Sequence, residues 1–263
     1  MNTVKLILTD LDDTLLTDEK VISRRSIEAF EACRKAGIET GFATARSEVP
    51  VAPYVKVLRP RVQVLNSGGL VLVDGKVISK TMLTAEATSG LLGRIAQLDG
   101  VTDICVETDE GYYCNQKDIF KFGSDYSHSR FNAFKEPFLL ESYKLTIHME
   151  GNEDALFALA GEYEECQSFS YAAQGWCCIQ PKGVSKGNGA RIAADYLGIP
   201  LSEVAAFGDD VTDLELLRDA GIGVAMENAI PSVADAAAYH TLSNQADGVA
   251  YFIENHILRK QSC

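Results

Sequence analysis

Val4-Lys5-Leu6-Ile7-Leu8-Thr9-Asp10-Leu11-Asp12-Asp13-Thr14 is an apolar run of strand length that breaks off into acids. A short run of this kind, with little alternation, reads as a strand buried on both faces, as in parallel sheets covered by helices. In open sheets of that type, ligands bind beyond the carboxyl ends of the strands. That is where these acids stand.

The segments that follow extend the pattern. Ser23 caps a predicted helix over 24–36, with Ile27, Phe30 and Cys33 at three-residue spacing and Gly37 as its stop. Residues 38–44 and 61–65 read as strands, and 51–58 as a short apolar segment interrupted by Pro53. Asp74-Gly75 between 70–73 and 76–79 signals a hairpin. The middle changes character. A helix over 84–98 precedes a hairpin around Asp109-Glu110-Gly111, and 117–142 show little periodicity. A strand over 143–150, a helix over 153–166 and a second hairpin around Gly175 follow. From Gly183 the alternation of helix and strand returns: helices over 186–197, 212–220, 231–237 and 248–258, strands over 204–207, 221–225 and 238–242. The fold class expected is α/β, a Rossmann-like parallel-sheet core domain over 1–82 and 183–263, split by an inserted α+β domain over 83–182.

Composition fits a globular chain: 263 residues, 46% hydrophobic and 23% charged, ample for a self-sufficient core. The formal net charge of −13 argues against affinity for nucleic acid or an anionic membrane. No apolar run reaches membrane-spanning length and no leader pattern opens the chain, so a cytoplasmic protein is expected. The seven cysteines lack a Cys-x-x-Cys pair and the four histidines a zinc spacing. Reduced, structural thiols are the expectation.

Three further strand ends or helix starts carry chemistry: Thr44-Ala45-Arg46, Gly208-Asp209-Asp210-Val211-Thr212-Asp213, and Lys186 in Gly183-Val184-Ser185-Lys186-Gly187. Each alone has a plain structural reading, as helix caps, dipole-favoured acids or a solvated lysine. Together they make one machine. Asp10 and Asp12, two residues apart in extended backbone, point the same way; one can act as nucleophile and the other as acid and base. Asp209 and Asp213 complete a hard-cation site for Mg²⁺, and Lys186 and Thr44 face phosphoryl oxygens. Phosphoryl transfer asks for this positioning and charge.

These motifs resemble the haloacid dehalogenase-like phosphatases, specifically the Cof-type subfamily. The likeness covers about 1–80 and 176–258 and includes Gly223-Val224-Ala225-Met226-Glu227-Asn228-Ala229 and Asp247-Gly248-Val249-Ala250. It implies that Asp10 is the nucleophile and Asp12 the general acid and base. It implies Mg²⁺ held by Asp10, Asp12 (through its backbone carbonyl), Asp209 and Asp213, and phosphate bound by Thr44, Lys186, Asn66 and Asn228. The inserted domain becomes a cap that supplies leaving-group specificity. The expected function is hydrolysis of small phosphorylated metabolites, sugar phosphates first, by a monomer or small homo-oligomer. The alternatives are a phosphosugar mutase, a trehalose- or sucrose-phosphate phosphatase, or a non-catalytic phosphate sensor. Departures are Asp13, Ala45 and Thr212, where the family favours other residues. Tyr126, His128, Arg130, Lys135, Trp176 and Tyr112-Tyr113 read as surface or packing residues, and Glu162-Tyr163-Glu164-Glu165 as a solvated helix face.

Overall fold

A computed structural model describes residues 3–116, 129–171 and 175–259 of the chain. The first segment is strand β1, Leu6–Thr9, with all four residues buried. Helix α1, Arg24–Lys35, starts where the Ser23 hydroxyl accepts the Ser26 N–H at 3.0 Å, a cap that contributes about 1 kcal/mol. Strand β2, Glu39–Ala43, follows. Residues 51–58 are part of a helix, α2, Glu48–Leu58, rather than an irregular segment. Pro50 sits in its first turn, where no helical donor is needed, and Pro53 removes one bond that the rest of the helix outlasts. Strands β3 (Val62–Leu65), β4 (Leu70–Val73) and β5 (Lys76–Lys80) follow. Between the last two, Asp74 and Gly75 both take positive φ (52° and 72°), as a tight two-residue turn that matches strand twist requires.

The insertion runs through α3 (Ala85–Ile95), β6 (Val101–Thr108), β7 (Gly111–Cys114), β8 (Arg130–Phe131), β9 (Lys144–Met149), α4 (Glu153–Ala160), β10 (Cys166–Ser170) and β11 (Trp176–Pro181). The helix expected over 153–166 thus ends at Ala160. Glu162 and its neighbours form a turn, where Glu162 pairs with Arg94 at 2.6 Å. The chain then returns through α5 (Lys186–Leu197), β12 (Val204–Gly208), α6 (Leu214–Asp219), β13 (Ile222–Ala225), α7 (Pro231–Ala236), β14 (Tyr239–His240) and α8 (Gly248–Phe252).

Two compact units result, Met1–Lys80 with Ser185–Cys263, and Thr81–Val184. In the first, eight strands lie in the order β14-β13-β12-β1-β2-β3-β4-β5, with β1 parallel to both β2 and β12. One face packs Leu6, Leu8, Val62 and Val64 against Ala190, Ala193 and Ala194 of α5, small side chains that let the helix lie close. Phe207 meets Phe252 edge-on at 5.6 Å. In the second unit, six strands lie in the order β10-β11-β9-β6-β7-β8, antiparallel except for β7 with β8. Leu91, Leu92 and Ile95 of α3 and Leu156 and Leu159 of α4 cover its Ile104, Val106, Leu145, Ile147 and Ile179.

The expectation of reduced thiols throughout is corrected here. Cys105 and Cys114 face each other directly across the β6–β7 hairpin, Cα atoms 4.4 Å apart, and form a disulfide. Hairpin register, not sequence spacing, brings them together. Among the described residues Cys33, Cys166, Cys177 and Cys178 are free, and burial pushes the Cys178 thiol up to about 11, which leaves it inert. No described helix is long and apolar enough to cross a membrane. Tyr126, His128 and Cys263 lie outside the described residues, as does the Ala172 end of the second hairpin.

Candidate active site

The site is built at the carboxyl ends of β1, β2, β3 and β12. Because β1 is central, the loops that leave it, β2 and β12 are neighbours. Asp10 ends β1 in extended backbone, and its loop then turns sharply, with Asp13 held at φ 55°. Lys186 is the first residue of α5, whose start is fixed by the Ser185 hydroxyl accepting the Asn188 N–H at 2.9 Å. Its ammonium lies 3.0 Å from Asp10 Oδ1 and 2.7 Å from Asp213 Oδ1, with all three side chains buried. Asp213 turns its other oxygen to the N–H groups of Asp209 (3.1 Å) and Asp210 (3.2 Å). Both its oxygens are therefore spent on holding the β12 loop and Lys186 in place. Asp209 in turn accepts the Thr14 hydroxyl at 2.5 Å.

Charge balance in this cluster is incomplete. Asp10, Asp209 and Asp213 each bring a carboxylate oxygen within 4.8 Å of the others, against one buried cation. Burial raises Asp10 well above the usual carboxylate range; Lys186 lowers it, and Asp213, Asp209 and Asp12 raise it again. Burial likewise lifts Asp209 to about 7, against the lowering effect of the Thr14 hydrogen bond. Lys186 is held above the ordinary lysine range because Asp10 and Asp213 outweigh its burial. A pair of carboxylates kept uneasy by each other, with oxygen donors only, is the donor set a hard divalent cation takes.

Asp12 has a different setting. Burial would raise it, but two cations prevail and hold it below the usual carboxylate value. Arg46 forms a bidentate pair with it, 2.7 Å on each arm, and Lys20 approaches to 3.1 Å. The motifs contain Arg46 and Thr14 without assigning either a role, and Lys20 lies outside them. Their nearness to Thr44 and Asp12 along the chain was the available signal.

The β2 and β3 loops are tied together. The Thr44 carbonyl accepts the Ser67 N–H at 3.0 Å and the Arg46 carbonyl that of Asn66 at 2.9 Å. Asn66 and Ser67 both carry left-handed backbone, φ 50° and 56°. Thr44, Asn66 and Ser67 are all buried. Both amide atoms of Asn66 and the Ser67 hydroxyl have no hydrogen-bond partner among the described residues. Asn228 joins two loops by hydrogen bonds. Its amide donates to the Asp13 carbonyl at 2.7 Å and accepts the Asn244 N–H at 3.0 Å, which braces the acidic loop. The structure thus brings Asp10, Lys186, Asp209 and Asp213 into direct contact or near contact, seats Asp12 beside them, and ties Asn228 to the Asp13 carbonyl.

The model of the haloacid dehalogenase-like hydrolases matches residues 7–253. A 5-amino-6-(5-phospho-D-ribitylamino)uracil phosphatase of Bacillus subtilis is 26% identical, the match covering 95% of this chain and 97% of that protein. A second Bacillus subtilis phosphatase is 28% identical over 97% of this chain and all of its own length. Among solved structures, a haloacid dehalogenase-like hydrolase from Bacteroides thetaiotaomicron shares 25% identity and superimposes with a TM-score of 0.81, covering 96% of this chain and 99% of that one. The chain belongs to the haloacid dehalogenase-like hydrolases.

Proposed function

We propose that this hydrolase is a Mg²⁺-dependent phosphatase of small phosphate monoesters, sugar and polyol phosphates first, working through a phosphorylated Asp10. The observation that supports this most directly is the buried Lys186 ammonium bridging Asp10 and Asp213, 3.0 and 2.7 Å away, beside a third carboxylate. A relative named for the phosphate ester of a ribityl chain fits the substrate class.

In this reading the Asp10 carboxylate attacks phosphorus as the bond to the leaving oxygen breaks, and Asp12 supplies that oxygen's proton. Asp12 as carboxylate then takes a proton from water, which attacks the aspartyl-phosphate and frees inorganic phosphate and Asp10. Arg46 and Lys20 hold Asp12 ionised without substrate, which suits the second step. For the first step, the negative charge of the ester must draw those cations away so that Asp12 can carry a proton. Lys186 offsets part of the burial that raises Asp10, and Thr44 and Asn66 offer buried polar groups to the phosphoryl oxygens. Asp10, Asp209 and the Asp12 backbone carbonyl would hold Mg²⁺, with Asp213 steadying them; the ion supplies positive charge against the three carboxylates and the phosphate. The inserted unit, Thr81–Val184, acts as the cap that reads the leaving group.

The test is release of free phosphate from a panel of phosphorylated sugars and polyols, with Mg²⁺ or EDTA, by wild type and Asp10→Asn. Mg²⁺-dependent release that falls at least about a thousandfold in the variant is expected. Transfer of phosphate without its release would favour a mutase, and equal release by both proteins would sink the reading.

A further inference from the structure

Helix α2 follows directly on the β2 loop that carries Thr44 and Arg46, and its helical spacing decides where Tyr54 goes. Val51 and Leu58 are both buried, and Tyr54, at i+3 from the one and i−4 from the other, shares their side of the helix. Helical side chains lean toward the amino end, so the Tyr54 ring reaches back over the first turn. There it meets the Arg46 guanidinium, whose carbon lies 5.6 Å from the ring centroid. The Tyr54 hydroxyl donates to the Lys20 carbonyl at 3.0 Å. Lys20 sits in a tight turn: its N–H donates to the Thr17 carbonyl at 2.8 Å, and the Thr17 N–H to the Val21 carbonyl at 3.0 Å. Its φ of 58° is a backbone state that lysine seldom takes unsupported. Tyr54 thus bears on two loops at once, and each of them delivers one cation to Asp12.

Those cations leave Asp12 a defined opening. A carboxylate has about four acceptor positions, two on each oxygen. Oδ1 takes Arg46 Nη2 at 2.7 Å and Lys20 Nζ at 3.1 Å, whereas among the described residues Oδ2 takes only Arg46 Nε, at 2.7 Å. One position on Oδ2 is left for a water proton. We propose that Tyr54 is a positioning residue for hydrolysis of the aspartyl-phosphate, holding Arg46 and Lys20 so that Asp12 Oδ2 faces the attacking water; this rests on the phosphatase reading above. In that step the water oxygen bonds to phosphorus and one of its protons passes to Oδ2. The phosphorus–oxygen bond to Asp10 breaks, and its electron pair returns to the Asp10 carboxylate. The Asp12 side chain is 36% exposed, and an ion pair so open to solvent is loose by itself. A ring beside one cation and a hydrogen bond behind the other restrict it, and a base held in line with its water counts directly in the rate.

The probe is 4-nitrophenyl phosphate with Mg²⁺. Nitrophenolate leaves without needing a proton from the protein, so phosphorylation of Asp10 is indifferent to Asp12 and only the second step reports on it. In Tyr54→Leu, kcat should fall about tenfold, the combined effect of one cation–π contact and one hydrogen bond. KM should fall with it, leaving kcat/KM within about twofold of wild type, and a burst of nitrophenolate should appear as phosphorylated protein accumulates. Tyr54→Phe keeps the ring beside Arg46 and should lose only about threefold in kcat. In a Lys20→Met background Tyr54→Phe should cost nothing further, because the hydroxyl acts through that lysine. An unchanged kcat in Tyr54→Leu, a fall in kcat/KM equal to that in kcat, or a full additional loss in the Lys20→Met background overturns the proposal. If wild type releases no nitrophenolate, the phosphatase reading fails and takes this assignment with it. If wild type turns the ester over and Tyr54→Leu does so equally well, the phosphatase stands and only the role of Tyr54 is refuted.

Discussion

Between pH 5 and pH 8, without divalent cations, the protein should lose stability as pH rises. Asp209 carries the argument. Burial lifts its carboxyl from the ordinary 3.8 to about 7. A carboxyl with a raised folded pKa binds its proton more tightly in the native state. Its contribution is therefore full below pH 3.8 and is lost as pH climbs through the folded value. The difference corresponds to about 4 kcal/mol at 1.36 kcal/mol per unit. Asp209 keeps some solvent contact, so about 2 kcal/mol is the figure to expect, or some 4–8 °C in melting temperature for a chain of this size. Carboxyls with depressed values, Asp12 above all, have already gained their stabilisation by pH 5 and do not oppose the slope. Mg²⁺ takes the site only when the carboxylates are ionised, so at 5 mM it should flatten the decline by stabilising the protein more at pH 8 than at pH 5. Asp10, raised by burial in the same cluster, adds to the slope, and Glu107, raised by burial in the other unit, adds a part that the ion does not touch. Calorimetric melting at five pH values, with EDTA or Mg²⁺, for wild type and Asp209→Asn makes the comparison. A melting temperature that is flat or rising with pH in EDTA refutes the charge argument, as does an equal decline in Asp209→Asn.

Lys186→Met strips the buried carboxylates of their one close cation. Urea unfolding at pH 8 in EDTA should show a loss of about 3–5 kcal/mol, much of it recovered with Mg²⁺ or at pH 5; a loss under 1 kcal/mol would contradict the geometry. Gly68→Ala places a methyl carbon 2.1 Å from the Ser185 carbonyl oxygen at φ 103°. It should cost about 2 kcal/mol or more, with kcat falling as the loop beside Lys186 is displaced. Gly93→Ala, in helix α3 with open space around it, should instead be neutral or stabilising.

The parallel core was legible because its signals are local. Leu6–Thr9 announces a buried strand, Asp74-Gly75 a two-residue turn, and Lys186–Leu197 a capped helix, each within one short window. The convergence of Asp10, Lys186, Asp209 and Asp213 followed from placing loops at strand ends of one sheet. What escaped reading depended on register or on side-chain reach. Cys105 opposes Cys114 only once the β6–β7 pairing is set. Arg46 finds Asp12 across 34 residues of chain, and Thr14 finds Asp209 across 195. Helix α2 was missed because two prolines mask it, although packing of Val51 and Leu58 sustains it. Likeness of motif points Asn228 toward phosphate. Its two hydrogen bonds to the 13 and 244 segments give it a bracing place that no linear pattern encodes.

The pairing of Leu6 with Val204 and of Thr9 with Phe207 bears on how the molecule is made. Strand β1 leaves the ribosome some two hundred residues before the neighbour it pairs with. The chain between them includes a unit, Thr81–Val184, whose own sheet is closed within about a hundred residues. Chains emerge amino end first, and domains tend to fold as units in that order. The insertion can therefore settle while the first sheet is still half complete, its β1 edge open and Asp10 present without the lysine that answers its charge. Long-range parallel pairing of this kind is slow and leaves edges exposed to aggregation. Heterologous synthesis should accordingly tolerate slow elongation through 81–184 better than any truncation after it, since every fragment ending before Ser185 carries β1 with an unpaired side.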